Sequence, residues 1–354
     1  MTATDATAAF AAEVGPPEAG PVAAVGGHTQ WDVGKLADGA GAFPPAREVR
    51  PPAGVVALEA ADMTVRVRAG TTVAELDAAL AEVGQTVAMP PWTEATVGGV
   101  LAVGHSGLRQ LGWGRVRDVL LEARVVSADG RVVKAGGPTV KNVSGYDLCR
   151  LLVGSLGTLA LIAEVVLRTR PLPATERWLA GEADPFALAE RLYRPASILW
   201  DGTTTWVLLD GHPADVETQA AALTGLTEVG GAPALPPHRW SLRPSELAGL
   251  PGRPSGPGAG TGRFVAEVGV GVVHAERPPE PRPVDGHVVE LHRRTKAAFD
   301  PTGRLNPGHD PLAAATPSRS AIPTANCRAG APQSVTSERR NPGPGPDEPT
   351  MKPA

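Results

Sequence analysis

Three glycine-rich stretches carry the chemistry this chain can do with its main chain. Gly26-Gly27-His28-Thr29 follows Pro21 to Val25, a short run that reads as a strand. After Pro90-Pro91, the stretch Thr96-Val97-Gly98-Gly99-Val-Leu-Ala102-Val-Gly104-His105-Ser106-Gly107 holds small residues nearly throughout. Gly154-Ser-Leu-Gly157-Thr158 places two glycines around a hydroxyl, ahead of the apolar run that includes Ile162. Successive N–H groups in such turns can form a nest for an anion. Glycine also lets the backbone press close to something flat or anionic. A tight turn and nothing more is the competing reading of each stretch alone. The second has too many glycines to suit a core helix, so a loop wrapped along an extended ligand is expected there.

Two phosphate-binding motifs are excluded. Gly34-Lys35 has Thr29 where a Walker A loop needs its first glycine, and Leu36 where it needs Ser or Thr. Gly112-Trp-Gly114-Arg-Val-Arg117 lacks the third glycine of a dinucleotide fingerprint and has no evident strand before it. Cys149 and Cys327 are the only cysteines, which rules out a four-thiolate cluster, a Cys-rich zinc site and a CxxCH haem attachment. Redox chemistry would need an organic cofactor, or a metal on His and carboxylate. His287 and His292 are the nearest histidine pair, but i, i+5 on a helix is poor for chelation and suits a solvated face, so no metal site is assigned.

These residues need elements to position them. Residues 1 to 20 hold a short amphipathic segment. Val55 to Leu58 and Thr64 to Ala69 read as strands. Thr72 and Glu75 form a capping box, and the helix behind it puts Val73, Leu76, Leu80 and Val83 on one face and ends at Gly84. Gln85 to Met89 is a further strand, and Val119 to Ser127 with Arg131 to Ala135 makes a hairpin about Asp129-Gly130. Ser144 and Asp147, three apart, look like a cap for a helix carrying Leu148, Leu151 and Leu152 on one side. A strand then alternates Leu159, Leu161, Ala163 and Val165 with the rest. From residue 174 to about 295 the pattern gives helices at Asp184–Tyr193, Pro213–Leu223 and His287–Phe299, with strands at Thr205–Leu209 and Phe264–His274. From about 311, Pro, Ser, Thr and Ala without periodicity read as a disordered tail.

The class is α+β. At 354 residues and 42% hydrophobic content, the chain can build two domains. A net charge of −4, with five Phe and two Tyr, offers neither the electrostatic footprint nor the stacking platforms of a nucleic-acid binder. The first residues lack a basic start, and no stretch reaches the length of a membrane span. The expectation is a soluble cytoplasmic protein, with any membrane association arising through partners.

Six motifs in order resemble the FAD-binding domain of the vanillyl-alcohol oxidase and p-cresol methylhydroxylase type: VGGHTQWDVG, DMTVRVRAGTTVAELDAAL, ATVGGVLAVGHSG, RDVLLEARVVSADGRVV, VKNVSGYDLCRLLVGSLGTLALI and FDPTGRLNPG. They cover residues 21–172 and 299–308, and the likeness runs to the E-type subunits of bacterial glycolate oxidase complexes. The resemblance implies a two-subdomain FAD-binding domain over 1–172, a small α+β cap or substrate domain over 173–298, a C-terminal return to the FAD domain over 299–310 and a disordered tail over 311–354. The segment 174–295 carries no motif of its own.

FAD is the cofactor so implied. The family's contacts fall on Gly26, Gly27, His28, Thr29, Pro91, Thr96, Val97, Gly98, Gly99, Ala102, Gly104, Ser106, Gly107, Gly154, Gly157, Thr158 and Ile162. Arg117-Asp118 matches the family's Arg-Asp pair, as a direct ligand or as a buried bridge bracing the loop. His28 stands where some relatives bond the flavin covalently; hydrogen bonding to a phosphate, or facing solvent, are the alternatives. Lys141 and Ser144 are the catalytic candidates, a cation for the reduced ring and a hydroxyl for a substrate carboxylate. Related 2-hydroxy-acid dehydrogenases have an Arg where this chain has Thr139 and Val140, and a metal-binding histidine pair with an acidic residue. The implied activity is oxidation of a 2-hydroxy acid such as glycolate, with electrons passed to a D-type FAD-linked oxidase subunit and an iron–sulfur subunit. A non-catalytic FAD-binding or assembly subunit, and a stand-alone flavoenzyme on another alcohol, are the alternatives.

Overall fold

The computed structural model describes residues 3–36, 45–137, 147–250, 262–277, 283–314 and 318–319. Two antiparallel sheets organise them. The first has five strands in the order Val55–Glu59, Thr64–Arg68, Leu161–Arg168, Leu120–Val126, Val132–Gly136. The second has eight, in the order Thr227–Val229, Thr175–Gly181, Thr205–Gly211, Ser197–Trp200, Phe264–Glu267, Val272–Ala275, His238–Ser241, Ser318–Arg319. A small parallel pair, Val22–Ala24 with Arg47–Val49, sits beside the first sheet.

The central strand of the first sheet, Leu161–Arg168, is buried on both faces. Strict alternation would put Leu161, Ala163 and Val165 on one side. The register against Leu120–Val126 slips between Ile162 and Glu164, so Ala163 is the extra residue of a β-bulge. Leu161 and Ala163 therefore pack with Phe10 and Val14 of the Ala3–Val14 helix, while Val165 and Leu167 face the helices on the other side. Leu159 lies before the strand.

Those helices begin as the sequence dictates. Thr72 accepts from Glu75 N at 3.2 Å, and Glu75 Oε2 accepts from Thr72 N at 2.8 Å, so both arms of the capping box form. Val73, Leu76 and Leu80 are buried, but Val83 lies past the helix end at Ala81 and is exposed. The strand expected to reach Met89 stops at Thr86. The helix before the third glycine stretch is Leu148–Leu152, and Asp147 itself is its cap, accepting from Arg150 N at 3.1 Å. Cys149 and Leu152 are its buried residues, whereas Leu151 is exposed. Ser144 lies outside the described residues, as does the expected tail apart from the Pro311–Ala314 helix and the two-residue strand at Ser318.

In the second sheet, Phe264–His274 is two strands about Gly269 and Gly271, both at positive φ. Ile198, Trp200, Val207, Leu209, Trp240, Phe264 and Val273 share one face and pack with the helices Pro185–Arg191 and Pro213–Ala222. Because side chains alternate along a strand, register puts Glu176, Asp210, Glu267, His274 and Arg239 on the other face. That face meets the glycine-rich half of the molecule. Arg109 donates to Asp210 at 3.0 Å and Glu176 at 2.7 Å, and Trp113 Nε1 donates to Asp210 at 2.8 Å. The Arg170 guanidinium lies 4.3 Å from the Trp113 ring centre.

The chain then returns to its beginning. After the Gly286–Phe299 helix, Asp300 accepts from Arg304 N, Leu305 N and Lys296 Nζ. Buried Arg304 donates to the carbonyls of Val14, Gly15, Gly20 and Ala128, which fixes the return against the first helix and the hairpin.

Candidate cofactor site

The Gly26–Thr29 turn, the second glycine stretch and the C-terminal return close on one cleft. It holds about 590 Å³, open mouth included, and is lined by residues 26–31 with Thr96, Gly99, Val100, Ala102, Val103, Leu156, Asn306 and His309 among others. Among the described residues, no Asp, Glu, Lys or Arg lines it.

The glycines are demanded first by the way the loops interlock. A Cβ on Gly26 would run into Thr96 Oγ1, and one on Gly27 into the Glu94 carbonyl. Val97–Val103 is a helix, not the expected loop. Gly98 explains it: a Cβ there would lie 2.7 Å from the Ala69 Cβ, and Gly98 N bonds Ala69 O at 2.8 Å. Close approach to the sheet, with Val97, Val100 and Leu101 buried, offsets the poor helix propensity of the glycines. Thr96 caps this helix and Gly104, at φ 75°, ends it.

Asn306 ties three segments together. Its Oδ1 accepts from Ala24 N at 2.9 Å, and its Nδ2 donates to Leu156 O at 2.6 Å. A side chain on Gly157 would strike that amide. Sequence reading did not single out Asn306, Leu156, Trp31 or His309 for the site, although the terminal NPG motif was the available signal. His28 adopts φ 54°, a left-handed conformation costing roughly 1–2 kcal/mol in a residue with a Cβ. Its ring lies 4.9 Å from Trp31, which in turn meets the edge of His309 at 5.2 Å.

Other expected positions lie around the cleft without lining it. Pro91 is exposed, Ser106 Oγ accepts from Val116 N at 3.0 Å, and Gly107 abuts Pro90. Gly154 backs Gly104, Thr158 Oγ1 donates to Ser155 O at 2.7 Å, and Ile162 is buried in the sheet core. Arg117 and Asp118 are 3.9 Å apart and both are substantially exposed, so they do not form a buried brace. Asp118 meets Arg150 at 3.1 Å instead. Lys141, Thr139 and Val140 fall outside the described residues.

His105 points the other way, into the junction with the eight-stranded sheet. Burial, then the nearby Arg239 and His274, lower its pKa to about 3, so it stays neutral. Its Nδ1 lies 3.4 Å from Gln30 Nε2. On the facing sheet, His274 Nε2 and Glu267 Oε1 are 2.9 Å apart, both residues buried. His287 and His292 are on an exposed helix face, and no group of three or more metal-ligating side chains occurs among the described residues. None of the helices described is long and apolar enough to cross a membrane.

Two sequence families match. FAD binding domain covers residues 49–136, and FAD linked oxidases, C-terminal domain, covers 261–309. The second match takes in strands of the segment that showed no motif to sequence reading. Among curated relatives, glycolate oxidase subunit GlcE of Escherichia coli is 32% identical over 52% of this chain and 55% of its own length. D-lactate dehydrogenase of Archaeoglobus fulgidus is 45% identical over 29% of this chain and 24% of its own. Glycolate oxidase subunit GlcD of Bacillus subtilis is 41% identical over 24% of this chain and 18% of its own. The chain thus spans about half of GlcE and a quarter or less of the other two. An alkyldihydroxyacetonephosphate synthase structure superposes with TM-score 0.59 at 13% identity, over 86% of this chain and 74% of that one, and shares the fold.

The cleft fits an elongated anionic cofactor. Among the described residues, the N–H groups of Gly26, Gly27, His28 and Thr29 donate to no protein acceptor, while those of Val25 and Val33 on either side are bonded. Its described lining residues include no carboxylate to repel a diphosphate, and Val100, Val103 and Leu156 supply apolar contact for a ring. Residues 49–136 thus match the FAD binding domain and residues 261–309 the C-terminal domain of FAD linked oxidases.

Proposed function

We propose that this chain is an FAD-linked oxidoreductase subunit that oxidises a small 2-hydroxy acid, glycolate being the first candidate, in a complex with a GlcD-like chain and an iron–sulfur subunit. The observation that carries the reading is the cleft with its row of unpaired main-chain amides and, among its described lining residues, no charged side chain. The similarity to GlcE, GlcD and D-lactate dehydrogenase supports the substrate class.

In this reading the amides of Gly26 to Thr29 hold the diphosphate, and Gly99, Val100 and Ala102 flank the chain leading to the ring. FAD supplies the two-electron acceptor. The protein binds and orients it, and the second sheet closes the junction against water. His28 lines the cleft and makes no covalent bond, so acid precipitation releases the flavin. Any attachment to a membrane comes through partner subunits.

The test is anaerobic addition of glycolate and of D-lactate to the FAD-loaded chain, alone and with a GlcD-type partner, followed by absorbance near the flavin maximum. Bleaching in either setting supports an oxidoreductase. Bleaching only with the partner assigns the chemistry to the pair. A flavin that stays oxidised with both acids and both preparations contradicts the proposal.

A further inference from the structure

The face that the eight-stranded sheet turns toward the flavin loops carries more charge than its packing needs. Its carboxylates are engaged: Asp210 and Glu176 by Arg109, and Glu267 by His274. Arg239 differs. It is directly opposite His274 in the antiparallel ladder, which puts the two Cβ atoms roughly 5 Å apart on the same face. Its guanidinium is recessed in the junction, yet makes no side-chain hydrogen bond to any described residue.

Arginine keeps its charge in proteins and presents five N–H groups in a planar fork, so a recessed guanidinium without an acceptor is an unfinished site. Burial works against the charged form here, and Glu267 partly restores it. Glu267 Oε1 is engaged by His274 Nε2 and no hydrogen bond joins Glu267 to the fork, so it balances charge without capping it. His105 closes the opposite wall from the second glycine stretch and, held neutral, adds no second cation. Among the described residues the junction thus holds two guanidinium groups without a side-chain hydrogen bond: Arg170, which is stacked on the Trp113 ring, and Arg239, which faces His105 and the Glu267–His274 pair next to the loops assigned to the flavin.

We propose that Arg239 receives the carboxylate of the small 2-hydroxy acid, gripping it through its fork across the junction from His105, with the Glu267–His274 pair holding the adjacent wall. The proposal rests on the oxidoreductase reading above for the identity of the acid.

The test uses the full chain loaded with FAD and titrated calorimetrically with sodium oxalate, a two-carbon carboxylate with no hydrogen to transfer. Wild type binds oxalate, and Arg239→Gln binds it at least about tenfold more weakly, with flavin content unchanged. Arg239→Lys, which keeps charge and loses the fork, falls between them and decides the matter if the glutamine variant does not fold. Equal affinity in a folded variant, no oxalate binding by wild type, or tighter binding of inorganic phosphate than of oxalate overturns the assignment. Oxalate binding through Arg239 in a chain that neither glycolate nor D-lactate reduces, with or without partner, would sink the oxidoreductase reading and leave the subsite standing. Reduction of the Arg239→Gln flavin with wild-type rate and KM would sink the subsite and leave the oxidoreductase.

Discussion

The two halves of the molecule build their sites from different material. Around the five-stranded sheet the cleft is made of main chain: turns at Gly26–Thr29, a helix that approaches the sheet through Gly98, and Asn306 binding Ala24 to Leu156. Across the junction, the eight-stranded sheet contributes side chains: Arg239, Glu267 and His274 from three strands, with Arg109 joining the two halves at Asp210 and Glu176. A site made of backbone fails when loops shift. One made of side chains fails residue by residue. Substitutions on the two sides should therefore differ in kind as well as in size.

The largest expected effect is on the main-chain side. Asn306→Ala leaves Ala24 N–H and Leu156 C=O without partners inside the fold, which costs about 3 kcal/mol in denaturant unfolding. Flavin retention should fall with it, as read by absorbance after gel filtration. Gly98→Ala comes next. The new methyl meets Ala69, and overpacking of this kind costs about 2 kcal/mol, again with weakened flavin binding. Arg109→Ala sharpens the contrast. It breaks two partly exposed ion pairs between the halves, costs about 1 kcal/mol, and leaves flavin content unchanged.

The smallest effect at neutral pH belongs to His105. Its pKa falls from an ordinary 6.5 to about 3 in the folded chain, through burial and then Arg239 and His274. Between those values the unfolded chain holds the extra proton. Stability from this group is therefore complete above about pH 6.5 and lost as pH falls toward 3. His105→Asn should flatten the fall in melting temperature between pH 6.5 and 4 and change little at pH 8. An unchanged slope would show that His105 does not lie in the charged junction described.

The same contrast explains what the sequence disclosed. Glycine spacing announces close backbone approach, because no other residue tolerates the contacts at Gly26, Gly27 and Gly98. The capping box at Thr72 was equally legible, being local. Yet the glycines also misled: Val97–Val103 reads as a loop by propensity, and only the packing of Gly98 on Ala69 makes it a helix. The bulge at Ala163 was hidden for a related reason, since alternation assumes a register that pairing is free to break. The side-chain site was not legible. Arg239, Glu267 and His274 meet only once three strands are in register, and the histidines that sequence reading weighed as a pair, His287 and His292, stand on an exposed helix face. The one local clue was a glutamate and a histidine inside otherwise apolar strands.

FAD held by the unpaired amides of Gly26 to Thr29 in the glycine-walled cleft should appear as a fixed flavin stoichiometry. Equilibrium dialysis of the purified, folded full chain against FAD, with the absorbance spectrum recorded, should give one flavin per chain, lost when Gly27 is replaced by valine. A folded chain that remains colourless at saturating FAD, or a Gly27→Val chain that holds flavin as tightly as wild type, would contradict the account.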